Sequence, residues 1–184
     1  MLTENFGTHR GLVRLALSYV QVGLKTAQIN AFDPAMIGRL VFVCHGNICR
    51  SAFADHYARQ SGLSTASFGL STTSHKGAHA FASEVSEGLG VSLAGHQTTA
   101  VEDYQPQPGD LLLAMEVRHL HKIAQIERLR DIPRTLLGLY AKPSFPHLHD
   151  PYSLDPRYMP VCLKRVASAV DALKITFPGA ASGQ

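Results

Sequence analysis

Two of the three cysteines of this chain stand five residues apart in the stretch VFVCHGNICRSAF, residues 41–53, and an arginine follows the second at once. Cys44 and Arg50 thus have the spacing Cys-x5-Arg, just behind an apolar β-branched run. A loop of that length between a strand and a helix can turn its backbone N–H groups inward and form a concavity for an anion. The helix that follows adds its N-terminal partial positive charge at the same point. The thiolate is the nucleophilic form of cysteine, and negative charge at Cys44 is what such a loop stabilises. Arg50 offers a planar fork that fits two oxygens of a tetrahedral oxyanion. Gly46 lets the backbone come close to a ligand, and Asn47 can hold an unusual loop conformation through its side chain. Ser51 can donate to the Cys44 sulfur and assist it as a leaving group. A buried structural cysteine is the plain alternative, outweighed here by strand, loop, arginine and helix occurring together.

The elements that must position this loop follow from the patterning. Residues 39–43 (RLVFV) read as a short apolar strand, and residues 51–60 as a helix ended by Gly62. Residues 66–70 form a second strand, followed by the polar loop STTSHKG, and residues 78–89 have helical periodicity up to Gly90. A buried strand at 110–114 (DLLLA), a helix over 117–128 and a fourth strand at 135–139 come next. The segment KPSFPHLHDPYSLDP then leads into a last helix over 158–176, and the tail 178–184 is expected to be disordered. Strands alternating with helices imply an α/β domain of three layers, with a four-stranded parallel sheet flanked by helices. In such a sheet ligands bind beyond the carboxyl ends of the strands, which is where Cys44 begins.

Residues 1–38 precede this domain as a helical extension. Residues 12–29 look helical, with Asp33-Pro34 as the breaker. The polar positions Arg14, Ser18, Gln21, Lys25 and Gln28 fall on one narrow stripe, and apolar residues cover the rest of the girth. Such a helix must dock on its own domain or on a second copy, which makes a homodimer through it one expectation. Its charge is too sparse for an interfacial membrane helix. Its distance in sequence from the candidate chemistry points to a role in fold or assembly.

The chain of 184 residues is 45% hydrophobic and 17% charged, enough for one globular domain over 39–177 with a real core. A formal charge of +3 with scattered basic residues agrees with anionic ligands and gives no nucleic-acid footprint. Three cysteines are too few for a disulfide framework. No apolar run has the length of a membrane span, and Glu4 spoils a signal peptide. The expected compartment is reducing and cytoplasmic. The ten histidines include His-Leu-His at 119–121 and again at 147–149; without companion ligands these read as surface or loop residues, so no metal or organic cofactor is expected.

VCHGNICRS resembles, at every fixed position, the signature V-C-x-G-N-I-C-R-S of the low-molecular-weight protein-tyrosine phosphatases. SFGL at 67–70, KGA at 76–78, GVSLAGHQ at 90–97, DLLLAMEVRHL at 110–120 and HDPY at 149–152 resemble later family segments in the same order. The resemblance implies Cys44 as nucleophile and Arg50 as clamp for the transferring phosphoryl group. It implies that the backbone amides of His45, Gly46, Asn47, Ile48, Cys49 and Arg50 hold its oxygens. Asp150 would be the general acid and then the base, in preference to the nearby Asp155-Pro156. His96 would brace the loop, and Tyr152 would form one wall for the substrate ring. Ser153 stands where a second aromatic is common, and the other wall falls near Thr73 or His75. Cys49 is near enough in the loop to form a reversible disulfide with Cys44, or to serve as apolar filler, and Cys162 reads as core. A phosphotyrosine protein, such as a tyrosine kinase of exopolysaccharide export, is the partner the resemblance implies. The alternatives are a thiol-coupled arsenate reductase of the same fold and a non-catalytic phosphotyrosine-binding module.

Overall fold

The strand that ends on Cys44, β1 (Arg39–Cys44), lies inside a four-stranded parallel sheet of order β2–β1–β3–β4, with β2 at Thr65–Gly69, β3 at Asp110–Ala114 and β4 at Arg134–Leu136. The structure is a computed structural model and describes residues 2–181. β1 pairs with β2 up to Cys44↔Gly69 and with β3 up to Val43↔Ala114. Side chains alternate across a strand, so Leu40, Phe42 and Cys44 enter one core while Val41 and Val43 enter another. The first core is closed by α3 (Arg50–Gln60) and α6 (Tyr158–Thr176), the second by α5 (Val117–Gln125). Both faces of the sheet are therefore covered, which is why β1 and β3 read as unbroken apolar runs. The chain leaves β1 towards β2 on one side and returns to β3 on the other. This reversal opens a crevice at the carboxyl ends of β1 and β3.

Several boundaries differ from the sequence expectation, each for a local reason. The helix over 117–128 stops at Gln125 because Ile126 is extended, and a separate 3-10 turn follows at Glu127–Leu129. The fourth strand ends at Leu136 and gives way to a 3-10 turn at Leu137–Tyr140. Phe145 packs its carbonyl against Gly138 there, where a Cβ would lie 1.9 Å from the Phe145 oxygen. The helix expected over 78–89 is shorter, α4 (Ala80–Gly88). The tail is ordered as far as Ala181: Ala180 is buried, its carbonyl accepts from the Ser64 amide at 2.7 Å, and Ala181 bridges Leu63. Expected disorder thus fails over 178–181, and residues 182–184 lie outside the described residues.

The N-terminal extension needs the largest correction. It forms α1 (Leu2–Phe6) and α2 (His9–Gly23), the latter capped by Thr8, whose hydroxyl accepts from the Gly11 amide at 3.0 Å. The helix does not reach residue 29, because Lys25 and Gln28 take left-handed backbone conformations with φ of 58° and 61°. The docked face is Gly11, Leu15 and Ser18, so one member of the expected polar stripe is buried. Val13, Leu17, Val20 and Leu24 stay exposed on the opposite side. Beyond α2 the chain passes alongside β4, with the Asn30 amide donating to the Arg134 carbonyl and Arg134 Nε to the Gln28 carbonyl at 2.9 Å. That cover protects an otherwise open sheet edge. Among the described residues no helix is long and apolar enough to cross a membrane.

Candidate active site

The loop after β1 is built around Asn47, which holds a left-handed conformation with φ of 54°. Its side-chain amide donates to Ser51 Oγ at 2.9 Å and Ser67 Oγ at 3.1 Å, while its Oδ1 accepts from the Thr99 amide at 2.9 Å. His96 Nε2 lies 2.7 Å from the Asn47 carbonyl oxygen. The loop is thus held from three neighbouring segments, and asparagine suits the position because its short polar side chain tolerates this conformation. The Cys44 sulfur sits at the base, 3.0 Å from Ser51 Oγ and 3.2 Å from the donating Asn47 amide. Gly69 closes the underside: a Cβ there would lie 3.0 Å from both Gly46 C and the His45 carbonyl oxygen. A cleft of about 240 Å³ opens above, lined by Cys44, His45, Ile48, Arg50, Asp150 and Tyr152 among others.

Arg50 is the best-anchored side chain in the site, 1% exposed at the first turn of α3. Its Nη1 donates to Glu116 Oε1 at 2.8 Å and to the Leu148 carbonyl at 2.7 Å, while Nη2 lies 2.7 Å from Asp150 Oδ2. Its Nε has no hydrogen-bond partner among the described residues. Burial works against both charges. Even so, Asp150 and Glu116 hold the guanidinium pKa above its ordinary value, and Arg50 holds the Glu116 carboxyl well below the usual carboxylate range. Asp150 therefore faces Arg50, whereas Asp155 accepts from the Arg157 amide at 3.0 Å and shapes the entry into α6. Tyr152 is about half exposed beside the cleft and meets the His79 ring edge-on at 5.3 Å. Thr72 and Lys76 also line the cleft. Thr73 and His75, the expected second wall, are not among the residues lining the cleft; the Thr73 carbonyl accepts from Thr98 Oγ1 and the His75 ring meets Gln97.

Glu116 carried no assigned role in the sequence reading, although β1 and β3 pair in parallel and Glu116 follows β3 where Arg50 follows β1. An acidic residue at that carboxyl end was the available signal. Of the two His-Leu-His stretches, His121 is exposed and His147 and His149 lie in a loop as expected, but His119, His147 and His149 are buried around Glu116 rather than on the surface. His147 Nε2 lies 3.1 Å from His149 Nδ1, and His149 Nε2 lies 3.2 Å from Thr8 Oγ1. Glu116, His147 and His149 each bring a ligand atom within 4.8 Å of the others, so the companion ligand thought to be missing is present. The donor set suits a borderline divalent cation. However, Arg50 and Arg118 both donate to Glu116, and Arg14 adds its positive charge to the field at His147 and His149. Three guanidiniums disfavour a further double charge, and the cluster reads as a hydrogen-bonded network.

Burial, with Arg50 adding to it, lowers His147 from 6.5 to about 4 and His119 to about 3. Between 6.5 and those values the unfolded chain binds more protons than the folded one, so stability falls as pH falls through that window. Tm measured from pH 6.5 down to 4 should drop steadily, and His147→Gln should flatten the slope. A Tm that is level across the window would contradict the buried neutral imidazoles.

Residues 39–177 match the family model described as low molecular weight phosphotyrosine protein phosphatase. The low molecular weight protein-tyrosine-phosphatase Wzb of Salmonella typhi is 32% identical over 93 residues, 50% of this chain and 62% of the relative. The corresponding phosphatase Etp of Escherichia coli K12 is 34% identical over 89 residues, 47% of this chain and 60% of the relative. The chain thus spans somewhat under two thirds of the curated relatives it matches. Among solved structures, the Erwinia amylovora tyrosine phosphatase amsI superposes with a TM-score of 0.68 at 25% identity, over 80% of this chain and 97% of that one. Wzb from Escherichia coli K30, solved in complex with sulphate, gives 0.66 at 26% identity, over 76% and 99%.

Proposed function

Because the chain belongs to the low molecular weight phosphotyrosine protein phosphatase family, we propose that it hydrolyses phosphotyrosine in proteins through a phosphocysteine intermediate on Cys44. One observation carries the reading. The Arg50 guanidinium is anchored at Nη1 by Glu116 and Leu148, which leaves Nε unpartnered and Nη2 against Asp150 at the mouth of the cleft. A buried donor without a partner calls for an explanation, and the Nε–Nη2 edge is the one that binds two oxygens of a tetrahedral oxyanion. A relative of the same fold is known with sulphate, an ion of that shape.

In this reading the substrate phosphoryl group takes the place of the Asp150 carboxylate on Arg50. The amides of residues 45–50 hold its remaining oxygens. The Cys44 sulfur attacks phosphorus, the bond to the aryl oxygen breaks, and Asp150 gives its proton to that oxygen. Asp150 then accepts a proton from water as the water attacks phosphorus and the S–P bond breaks. Ser51, 3.0 Å from the sulfur, donates to the departing thiolate. These steps use side chains and backbone amides of this chain and one water. Hydrolysis of p-nitrophenyl phosphate and of a phosphotyrosine peptide, set beside arsenate reduction with thiol donors, tests the proposal. Arsenate reduction without ester hydrolysis would overturn it. That alternative is not favoured, since the chain has three cysteines, all buried, and none between residues 71 and 97.

The proposal extends to partners and setting. A phosphotyrosine protein, including a tyrosine kinase, would be the substrate, in a reducing cytoplasm. Cys49, buried in the same loop with its thiol pKa pushed up by burial, would serve as a reversible cap on Cys44. A second copy of the chain would cover the outer face of α2, where Val13, Leu17, Val20 and Leu24 are exposed at spacings of four, three and four. That spacing is the seam of paired helices, and a two-fold partner supplies the same seam. Light scattering should show Leu17→Glu shifted towards monomer relative to the parent chain. A parent chain that is monomeric at every concentration would contradict the dimer.

A further inference from the structure

We infer that the N-terminal extension is a strap that sets the position of Asp150, with Thr8 and His149 as its positioning residues. This inference rests on the reading of Asp150 as general acid. The body of the domain holds the Asp150 loop from below, through the Leu148 amide on the Met115 carbonyl and Arg50 on the Leu148 carbonyl. The outer side is held by the extension. Thr8 Oγ1 lies 3.2 Å from His149 Nε2, directly before the acid. Gly7 and Gly11 let the extension lie flush on the same ring: a Cβ on either would fall 2.9 Å from His149 Cδ2, and one on Gly7 would fall 2.8 Å from Leu154 Cδ1. The strap therefore touches the loop on both sides of Asp150.

The grip continues along the segment. Tyr19 Oη donates to the Ser144 carbonyl at 2.5 Å, Phe6 stacks on Phe145 at 6.2 Å, and Glu4 pairs with Arg157 at 2.5 Å. Arg165 from α6 lies 4.0 Å over the Phe145 ring and 5.8 Å over Phe6, locking the two aromatics between strap and body. From His149 the contacts run on through His147 to Glu116, which anchors Arg50. The extension is distant from the chemistry in sequence and adjacent to it in space, so the expectation that it serves only fold or assembly is incomplete. Proton transfer requires hydrogen-bond reach to the leaving oxygen, and small displacements of a catalytic group are costly. A loop carrying four prolines between residues 142 and 156 has no ladder of its own to fix that reach.

The test uses the full chain and a series of aryl phosphates whose phenols differ in leaving ability, with kcat/KM as the readout. A misplaced acid hurts poor leaving groups and spares good ones, whereas simple destabilisation lowers all alike. Thr8→Val is expected to lose about tenfold on phenyl phosphate and to stay within about twofold on 2,4-dinitrophenyl phosphate. Thr8→Ser, which keeps both hydroxyl and helix cap, should behave as the parent. His149→Gln should steepen the dependence in the same way and guards against a Thr8→Val chain that fails to fold. Asp150→Asn run in the same series separates the two ideas. If it steepens the dependence while both strap variants leave it unchanged or lower every substrate equally, the strap is wrong and the acid stands. If Asp150→Asn leaves the dependence flat, the acid assignment falls and takes the strap with it.

Discussion

Replacing Cys44 by serine is expected to lower kcat by at least about a thousandfold, the scale on which a covalent nucleophile acts. The sulfur is held at the base of the loop by the Asn47 amide at 3.2 Å and Ser51 Oγ at 3.0 Å, and no other thiol lines the cleft except that of Cys49. A serine hydroxyl is a far weaker nucleophile at neutral pH. The amides of residues 45–50 and the Arg50 fork survive the change. Phosphate or vanadate should therefore bind Cys44→Ser within a few fold of the parent, as measured by calorimetry. Loss of turnover together with loss of oxyanion binding would point to a collapsed loop. Turnover above about a tenth of the parent would remove Cys44 as nucleophile.

Asp150→Ala should lower kcat by on the order of a hundredfold or more with poor leaving groups, the usual reach of general acid catalysis. The reason is geometric: Asp150 Oδ2 lies 2.7 Å from Arg50 Nη2 at the cleft mouth, so a phosphoryl group bound by Arg50 brings its ester oxygen to the same place. Asp155→Ala should change kcat little, because Asp155 is engaged with Arg157 and shapes the turn before α6. Steady-state rates on phenyl phosphate compare the two. A larger loss in Asp155→Ala would show that the wrong aspartate has been assigned.

The loop geometry was legible because it is local. Cys44, Asn47, Arg50 and Ser51 lie within eight residues, between a β-branched strand and a helix, and every contact among them follows from one turn of backbone. β1, β3 and α6 were legible for a similar reason, since burial on both sides of a parallel strand or along a long helix leaves an apolar signature. What sequence patterning could not supply was pairing at a distance. Glu116 acquires its role from the β1–β3 register and from a contact with Arg50, 66 positions away. His149 and Thr8 meet across 141 positions. Gly69 matters through the close approach of another loop, which no local rule encodes. The outward face of α2 was misjudged because periodicity names an apolar face and does not say which face docks. Here Gly11 within α2 and Gly7 just before it lie close on His149, and the Gly11, Leu15 and Ser18 face is the docked one.

Direct detection of the phosphoenzyme tests whether phosphoryl transfer passes through Cys44. The enzyme would be mixed rapidly with an activated aryl phosphate, quenched within the first turnover, digested, and the peptide containing residues 41–53 examined by mass spectrometry. Asp150→Asn, which removes the proposed base for hydrolysis of the intermediate, should accumulate it further. The mass of one phosphoryl group is expected on Cys44, absent from Cys44→Ser. Product released at full rate with no phosphoryl group on Cys44, or with the group on another residue, would contradict it.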